Sequence, residues 1–259
     1  MRILSYNILD GGVERADALG DVIEAQRPDL VALVEADDPG VVDRLARRLK
    51  MDAIHAAGNT HASALLSRWP IRESINHAPL HADGLEKSLL EATVVGPRSG
   101  REWTVGVVHL HAHGTEDAER RREKELDVLL EVFARHRAQG RPHLVCGDFN
   151  ANAPYQKIDP ARCKPRTQRE WSENGGGLAR RVVQRMLDAG YRDSLREVDP
   201  RAAETLGTFN TQSPGQRVDY VFTFGFAAPM LKSAWVAYDP PAKDASDHYP
   251  VGLEVTWLG

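Results

Sequence analysis

Short apolar runs that stop at a carboxylate, an amide or a histidine recur along this chain, and this pattern restricts the fold more than any other feature. Residues 2–8 alternate, with Ile3 and Tyr6 or Leu4 and Ile8 apolar, and Asp10, Gly11 and Gly12 break the run, so a strand ends near Asn7. Residues 16–26 place Ala18, Leu19, Val22, Ile23 and Gln26 at helical spacing until Pro28, and the apolar run 30–34 then ends at Glu35. This is a strand, a helix and a strand. The same spacing predicts helices over 41–49, 116–137 and 178–189, and strands over 62–67, 89–95, 103–110, 143–146, 218–224, 231–236 and 251–257. With no Pro- or Gly-rich linker near the middle, the expectation is one α/β domain over 1–259.

Composition narrows the class further. Hydrophobic residues at 42% and charged residues at 27% suit a globular chain and argue against disorder. A net charge of −4 means that any surface for anions must be local. The two cysteines, Cys146 and Cys163, are too few for a disulfide framework, and Cys146 reads as a buried structural thiol. No apolar run approaches a membrane span and no signal-peptide core follows Met1, so a cytoplasmic protein is expected. One segment stands apart. Residues 155–177 lack periodicity and carry Lys157, Arg162, Lys164, Arg166 and Arg169, which reads as an irregular basic insertion.

Four strand ends therefore present chemistry: Asn7, Glu35, Gly147-Asp148-Phe149-Asn150 and Ser246-Asp247-His248. Strand ends are where sites collect in α/β folds, and carboxylates with amides are hard oxygen donors suited to Mg²⁺ or Mn²⁺. His109, His111 and His113 would share a face if their strand continued, which superficially suggests zinc, but Gly114 and Thr115 follow where an Asp-His pair would be needed.

The order of motifs is similar to that of the endonuclease/exonuclease/phosphatase superfamily. Ser-Tyr-Asn, Leu-Val-Glu, Val-Val-His-Leu, Gly-Asp-Phe-Asn, Arg-Val-Asp-Tyr-Val-Phe and Ser-Asp-His-Tyr-Pro-Val follow one another from Asn7 to Pro250. The resemblance implies a DNase I-like four-layer α-β-β-α sandwich of two mixed sheets, a Mg²⁺ or Mn²⁺ cofactor, and hydrolysis of a phosphoester. It implies metal ligation by Asn7, Glu35 and Asp247. It also implies catalytic roles for His248 and Asp219 at the scissile phosphate, for Asp148 and Asn150 at the attacking water, and for His109 at a phosphate oxygen. Lys164, Arg166 and Arg169 in the insertion, with Arg217 in the Arg-Val-Asp motif, are the expected substrate contacts, and Trp171 is placed to stack on a base or sugar.

Marks of the subgroups are mostly absent. Gly215-Gln216-Arg217-Val218-Asp219 stands where inositol polyphosphate phosphatases carry a Trp-Cys-Asp-Arg type motif, and Gln216 stands where apurinic-site endonucleases usually have Trp or Leu. The expectation is a phosphodiesterase for DNA, RNA or a nucleotide ester. The alternatives are a small-molecule or lipid-headgroup phosphoesterase and a non-catalytic binding module.

Overall fold

The computed structural model describes residues 1–97 and 100–256; Trp257, expected in the last strand, lies outside them. Twelve strands among these residues form two six-stranded mixed sheets. The first contains β1 (Arg2–Asn7), β2 (Leu30–Val34), β3 (Asp52–Ala56), β4 (Ser63–Ser67), β11 (Leu231–Val236) and β12 (Val251–Val255), in the order β11-β12-β1-β2-β4-β3. The second contains β5 (Ile71–Asn76), β6 (Ser88–Val95), β7 (Glu102–His109), β8 (His143–Asp148), β9 (Arg192–Asp193) and β10 (Asp219–Phe224), in the order β5-β6-β7-β8-β10-β9. Each sheet has one parallel pair, β1 with β2 and β7 with β8.

The sheets pack face to face. Ile3, Leu33, Ala64, Leu90, Val107 and Cys146 all belong to one buried cluster that spans both. Outside the first sheet lie α1 (Ala16–Gln26) and α2 (Pro39–Leu49), which contribute Leu19, Val22, Leu45 and Leu49 to that cluster. Outside the second, α3 (Glu116–Val132) and the later α6 (Arg181–Asp188) bury Leu126, Leu129, Val183 and Met186 against Val145, Phe149 and Phe222. The layers are therefore helix, sheet, sheet, helix, as the motif order implied.

Three local expectations need correction. The helix expected over 116–137 breaks at Phe133, whose side chain is fully buried, and resumes as α4 (Ala134–Ala138). The insertion 155–177 is not irregular throughout: Pro165 starts a nine-residue helix, α5 (Pro165–Glu173), which buries Thr167 and Glu170. The strands β3 and β5, absent from the sequence reading, are edge strands whose faces are largely exposed, so neither shows an apolar alternation. Short helices α7 (Ser194–Val198), α8 (Pro200–Thr205) and α9 (Ala242–Ala245) complete the described chain. Among the described residues no helix is long and apolar enough to cross a membrane.

Candidate active site

Strand register assembles the site. β7 and β8 run parallel with His109 opposite Asp148, and β8 runs antiparallel to β10 with Asp148 opposite Asp219. Three motifs far apart in sequence thus become neighbours across one sheet end. Gly147 permits this: its φ is 142°, and a Cβ there would collide with the Val108 carbonyl. On the facing sheet, Asn7 pairs with Val34, so Glu35 follows directly beside it. Glu35 takes left-handed backbone, φ 54°, and its carboxylate accepts from Asn7 Nδ2 at 3.0 Å and from the Asp10 amide at 2.9 Å. Ser246 Oγ donates to the Asn7 carbonyl at 2.7 Å and the Thr211 amide to the Asp247 carbonyl at 3.0 Å, which secures the Ser-Asp-His turn to the end of β1.

Glu35, His109, Asp148, Asp247 and His248 line one cleft of about 320 Å³, with Asn7 and Asp219 bonded to them from behind its surface. Asp148, fully buried, is reached by Asn7 Nδ2 at 3.2 Å, His109 Nε2 at 3.5 Å and His248 Nε2 at 3.8 Å. Asp219 accepts from His248 Nδ1 at 2.9 Å, while His248 Nε2 lies 4.0 Å from Asp247 Oδ1. Burial and the neighbouring Asp219 charge push the Asp148 carboxyl up. For His248 burial acts downward but is overcome by Asp219 and Asp148, which carry the imidazole up to about 10. Asn150, with φ 48°, gives its amide to Asp148 Oδ1 at 2.8 Å and its side-chain NH₂ to the Leu110 carbonyl at 3.0 Å.

Sequence reasoning missed Lys87. This lysine is buried immediately before β6, and its ammonium meets His109 Nε2 at 2.5 Å. The ammonium has no acceptor lone pair, so Nε2 accepts and the ring proton sits on Nδ1. Burial first, then the Lys87 charge, holds His109 well below its ordinary value, so the ring is neutral. Lys87 itself is lowered by burial, with the charges of Asp148 and Glu35 acting in the opposite direction. The only trace in the sequence is a lysine one residue ahead of an apolar run, a position that normally reads as solvent-exposed. Phe209 was also missed; its ring lies 4.7 Å from that of His248 in the cleft wall.

Several expected contacts fall elsewhere. Arg217 is 1% exposed at its side chain and pairs with Asp193 at 2.6 Å behind the sheet, away from the cleft lining, so the structure corrects its reading as a substrate contact. Arg169 faces outward from α5 beside Pro165, Gln168 and Glu173, and Trp171 is likewise absent from the cleft lining. Lys164 and Arg166 do line the cleft, each already partnered: Lys164 with Asp247 at 2.9 Å and Arg166 with Glu170 at 3.1 Å. The three alternating histidines do not converge. β7 ends at His109, His111 Nδ1 binds Glu86 at 2.5 Å, and His113, on a backbone with φ 81°, lines the cleft with its ring 5.9 Å from that of His111. Cys146 is a buried free thiol pushed up to about 12 by burial, in keeping with a packing role.

The donor set suits a hard cation. Glu35, Asp148 and Asp247 bring carboxylates to one cleft, and carboxylate oxygens are the donors that such cations take. Among the described residues, one set of three His, Cys, Asp or Glu ligand atoms lying within 4.8 Å of one another comes from Asp148, Asp219 and His248, which form a candidate metal site. His248 already engages Asp219 through Nδ1, so its free nitrogen there is Nε2.

Two packed mixed sheets, with a buried Asp, Asp, His cluster at their strand ends, give the chain the DNase I-like fold. Residues 4–248 match the Endonuclease/Exonuclease/phosphatase family, and the chain belongs to it. It is 35% identical over 209 residues to the uncharacterized protein YbhP of Escherichia coli, covering 79% of this chain but only 66% of that relative's length. It is 23% identical over 271 residues to exodeoxyribonuclease III of Haemophilus influenzae, covering 98% and 99% of the two chains. Among solved structures, a 3′ phosphatase, NExo, from Neisseria bound to a product DNA hairpin superposes with a TM-score of 0.76 at 21% identity, covering 99% of this chain and 100% of that one. An AP endonuclease from Archaeoglobus fulgidus superposes with a TM-score of 0.72 at 17% identity, with the same coverage.

Proposed function

We propose that the protein hydrolyses phosphodiester bonds with Mg²⁺ or Mn²⁺, acting on nucleic acid or a nucleotide ester. The observation that carries this reading is the buried His248 and Asp219 pair at 2.9 Å, set beside Asp148 in a cleft that also holds Glu35 and Asp247. Asn7, Glu35 and Asp247 offer only oxygens and would hold the cation, which when bound withdraws charge from phosphate oxygens and acidifies water. The rest falls to the side chains. The His248 imidazolium, kept charged by Asp219, donates to a non-bridging phosphate oxygen as negative charge builds there. Asp148, reached by Asn7 and oriented by the Asn150 amide, takes the proton of the attacking water. Lys87 and His109 form a second polar wall toward the phosphate, and Lys164 and Arg166, each held by a carboxylate of the protein, line the cleft beyond it. The DNA-bound relative and the exodeoxyribonuclease support a nucleotide-containing substrate. Glu35→Gln tests the reading: it should abolish turnover with Mn²⁺ while leaving the thermal transition in place. Full wild-type activity in excess chelator would refute the metal dependence.

A further inference from the structure

Resting on that reading, we infer that the substrate is a single accessible phosphodiester carrying one group about the size of a nucleoside, free or at a chain end, and not the interior of a duplex. The inference comes from what the insertion does to the cleft. Glu170 on α5 accepts from the Gly114 amide at 2.9 Å, and Asn174 donates to the Gly114 carbonyl at 2.8 Å, so the helix is tied to the loop that follows β7. The approach is close: a Cβ on residue 114 would stand 2.8 Å from Glu170 Oε2 and 2.9 Å from Leu178, so one of these side chains would have to shift. Glu170 is buried in making this tie. At the helix start, Lys164 reaches Asp247 at 2.9 Å and lies over the Phe209 ring at 4.3 Å. The insertion is thus anchored to two separate rims of the same cleft, and its residues from Lys164 to Glu170 form a wall.

The cleft volume, about 320 Å³, lies at the lower end of the range of about 300–1,000 Å³ that small-molecule sites occupy. Leu9, Leu178, Phe209 and Val218 give the space apolar surface beside the polar floor, which suits a sugar or base attached to the phosphate. A groove that tracks a polyanion needs a run of unpaired cations along its length. Here Lys157 pairs with Glu204, Lys164 with Asp247 and Arg166 with Glu170, while Arg169 faces away. Three of the insertion's five basic residues are thus matched within the protein, and Arg162 lines a separate depression beside Leu206 and Tyr238, so no run of unpaired cations follows the cleft.

The test compares thymidine 5′-(p-nitrophenyl) phosphate, a short single-stranded oligonucleotide and covalently closed circular duplex DNA, each with Mn²⁺. The small diester should be hydrolysed, and the circle should be neither nicked nor able to raise the KM of the small diester when its phosphates are in large excess. Trimming of the oligonucleotide from an end would place the diester at chain termini; its survival would place it in free small molecules. Nicking of the circle at a rate comparable to the small diester, or competition by it, would overturn the inference while leaving the hydrolase reading intact. Hydrolysis of none of the three with either Mg²⁺ or Mn²⁺ would overturn the hydrolase reading itself. Cutting the tie with Glu170→Ala plus Asn174→Ala should raise KM for the small diester on the order of tenfold with kcat nearly kept, since the wall binds ground and transition states alike. An unchanged KM in a folded double variant would remove α5 from the substrate pocket and refute the wall.

Discussion

Asp219→Asn removes one charge from beside His248 while keeping the size of the side chain, and its effect should depend on pH in a definite direction. In the wild type the imidazole is carried from 6.5 to about 10, against burial, by Asp219 and Asp148. At 1.36 kcal/mol per unit this is about 5 kcal/mol in favour of the imidazolium, with Asp219, in contact at 2.9 Å, as the largest favourable contributor. A raised histidine keeps its charged form below its shifted value and loses it above. Without the Asp219 charge, burial is opposed only by weaker partners and the loss moves to lower pH. The rate deficit of Asp219→Asn should therefore widen as pH rises, reaching on the order of a hundredfold or more at pH 8.5, the scale of a lost transition-state hydrogen-bond donor, and shrinking toward pH 6. The assay is kcat/KM for a chromogenic diester from pH 6 to 9 at saturating Mn²⁺, with His248→Ala and the double variant alongside. The double variant should lose little beyond the worse single one, because the two side chains act as one unit. A deficit of equal size at every pH would mean that Asp219 acts through geometry and not through charge, and a near-wild-type rate for His248→Ala would refute the pair's role altogether.

Arg217→Ala breaks a buried pair and should cost about 3–5 kcal/mol, a fall in Tm of roughly 6–20 °C for a chain of this size. A raised KM with an unchanged Tm would instead restore Arg217 as a substrate contact. Lys164→Met frees Asp247 from its half-exposed ion pair and should tighten Mn²⁺ binding by titration calorimetry several-fold, the scale of about 1 kcal/mol for such pairs; weaker binding would contradict competition at that carboxylate. Far from the cleft, burial pushes Glu91 up but is outweighed by hydrogen bonds from His77, His136 and Arg135, which hold it at about 2. The stability this gives, of order 3 kcal/mol, is complete above the ordinary value of 4.5 and is lost as pH falls toward 2, so Glu91→Gln should flatten the acid limb of a urea-unfolding series; an identical limb in the variant would assign acid unfolding to other groups.

The parts of the fold legible in the sequence are those with both faces buried. β2 and β4 fall where the apolar runs place them, and α1 ends where its periodicity stops, because burial and pattern report the same thing there. The edge strands β3 and β5 escaped for the converse reason: a strand exposed on its faces needs no apolar alternation, and only its ladder to β4 or β6 reveals it. The site divides in the same way. Asn7, Glu35, Asp148 and Asp219 stand at strand ends, so reading strands was enough to find them, although only the register shows that Asp148 lies between His109 and Asp219. Lys87 could not be read, since burial of an ammonium depends on His109 and on acids from other strands.

Charge in the insertion shows why residue type and residue role part company. Its basic residues stood out against an acidic chain and suggested a track for a polyanion. A cation is available to a ligand only if no carboxylate of the protein already holds it, and that is decided by partners as far away as Asp247, 83 residues beyond Lys164. The Arg166 pair with Glu170 is local, at i to i+4, and would have been legible had α5 been expected. With these pairs in place the segment spends its charge on holding itself against the cleft, and what remains for the substrate is the shape of the enclosure and the apolar surface of Phe209 and Leu178. On the proposed reading that division would select substrate by size, with the charge for catalysis supplied at Asp148, Asp219 and His248.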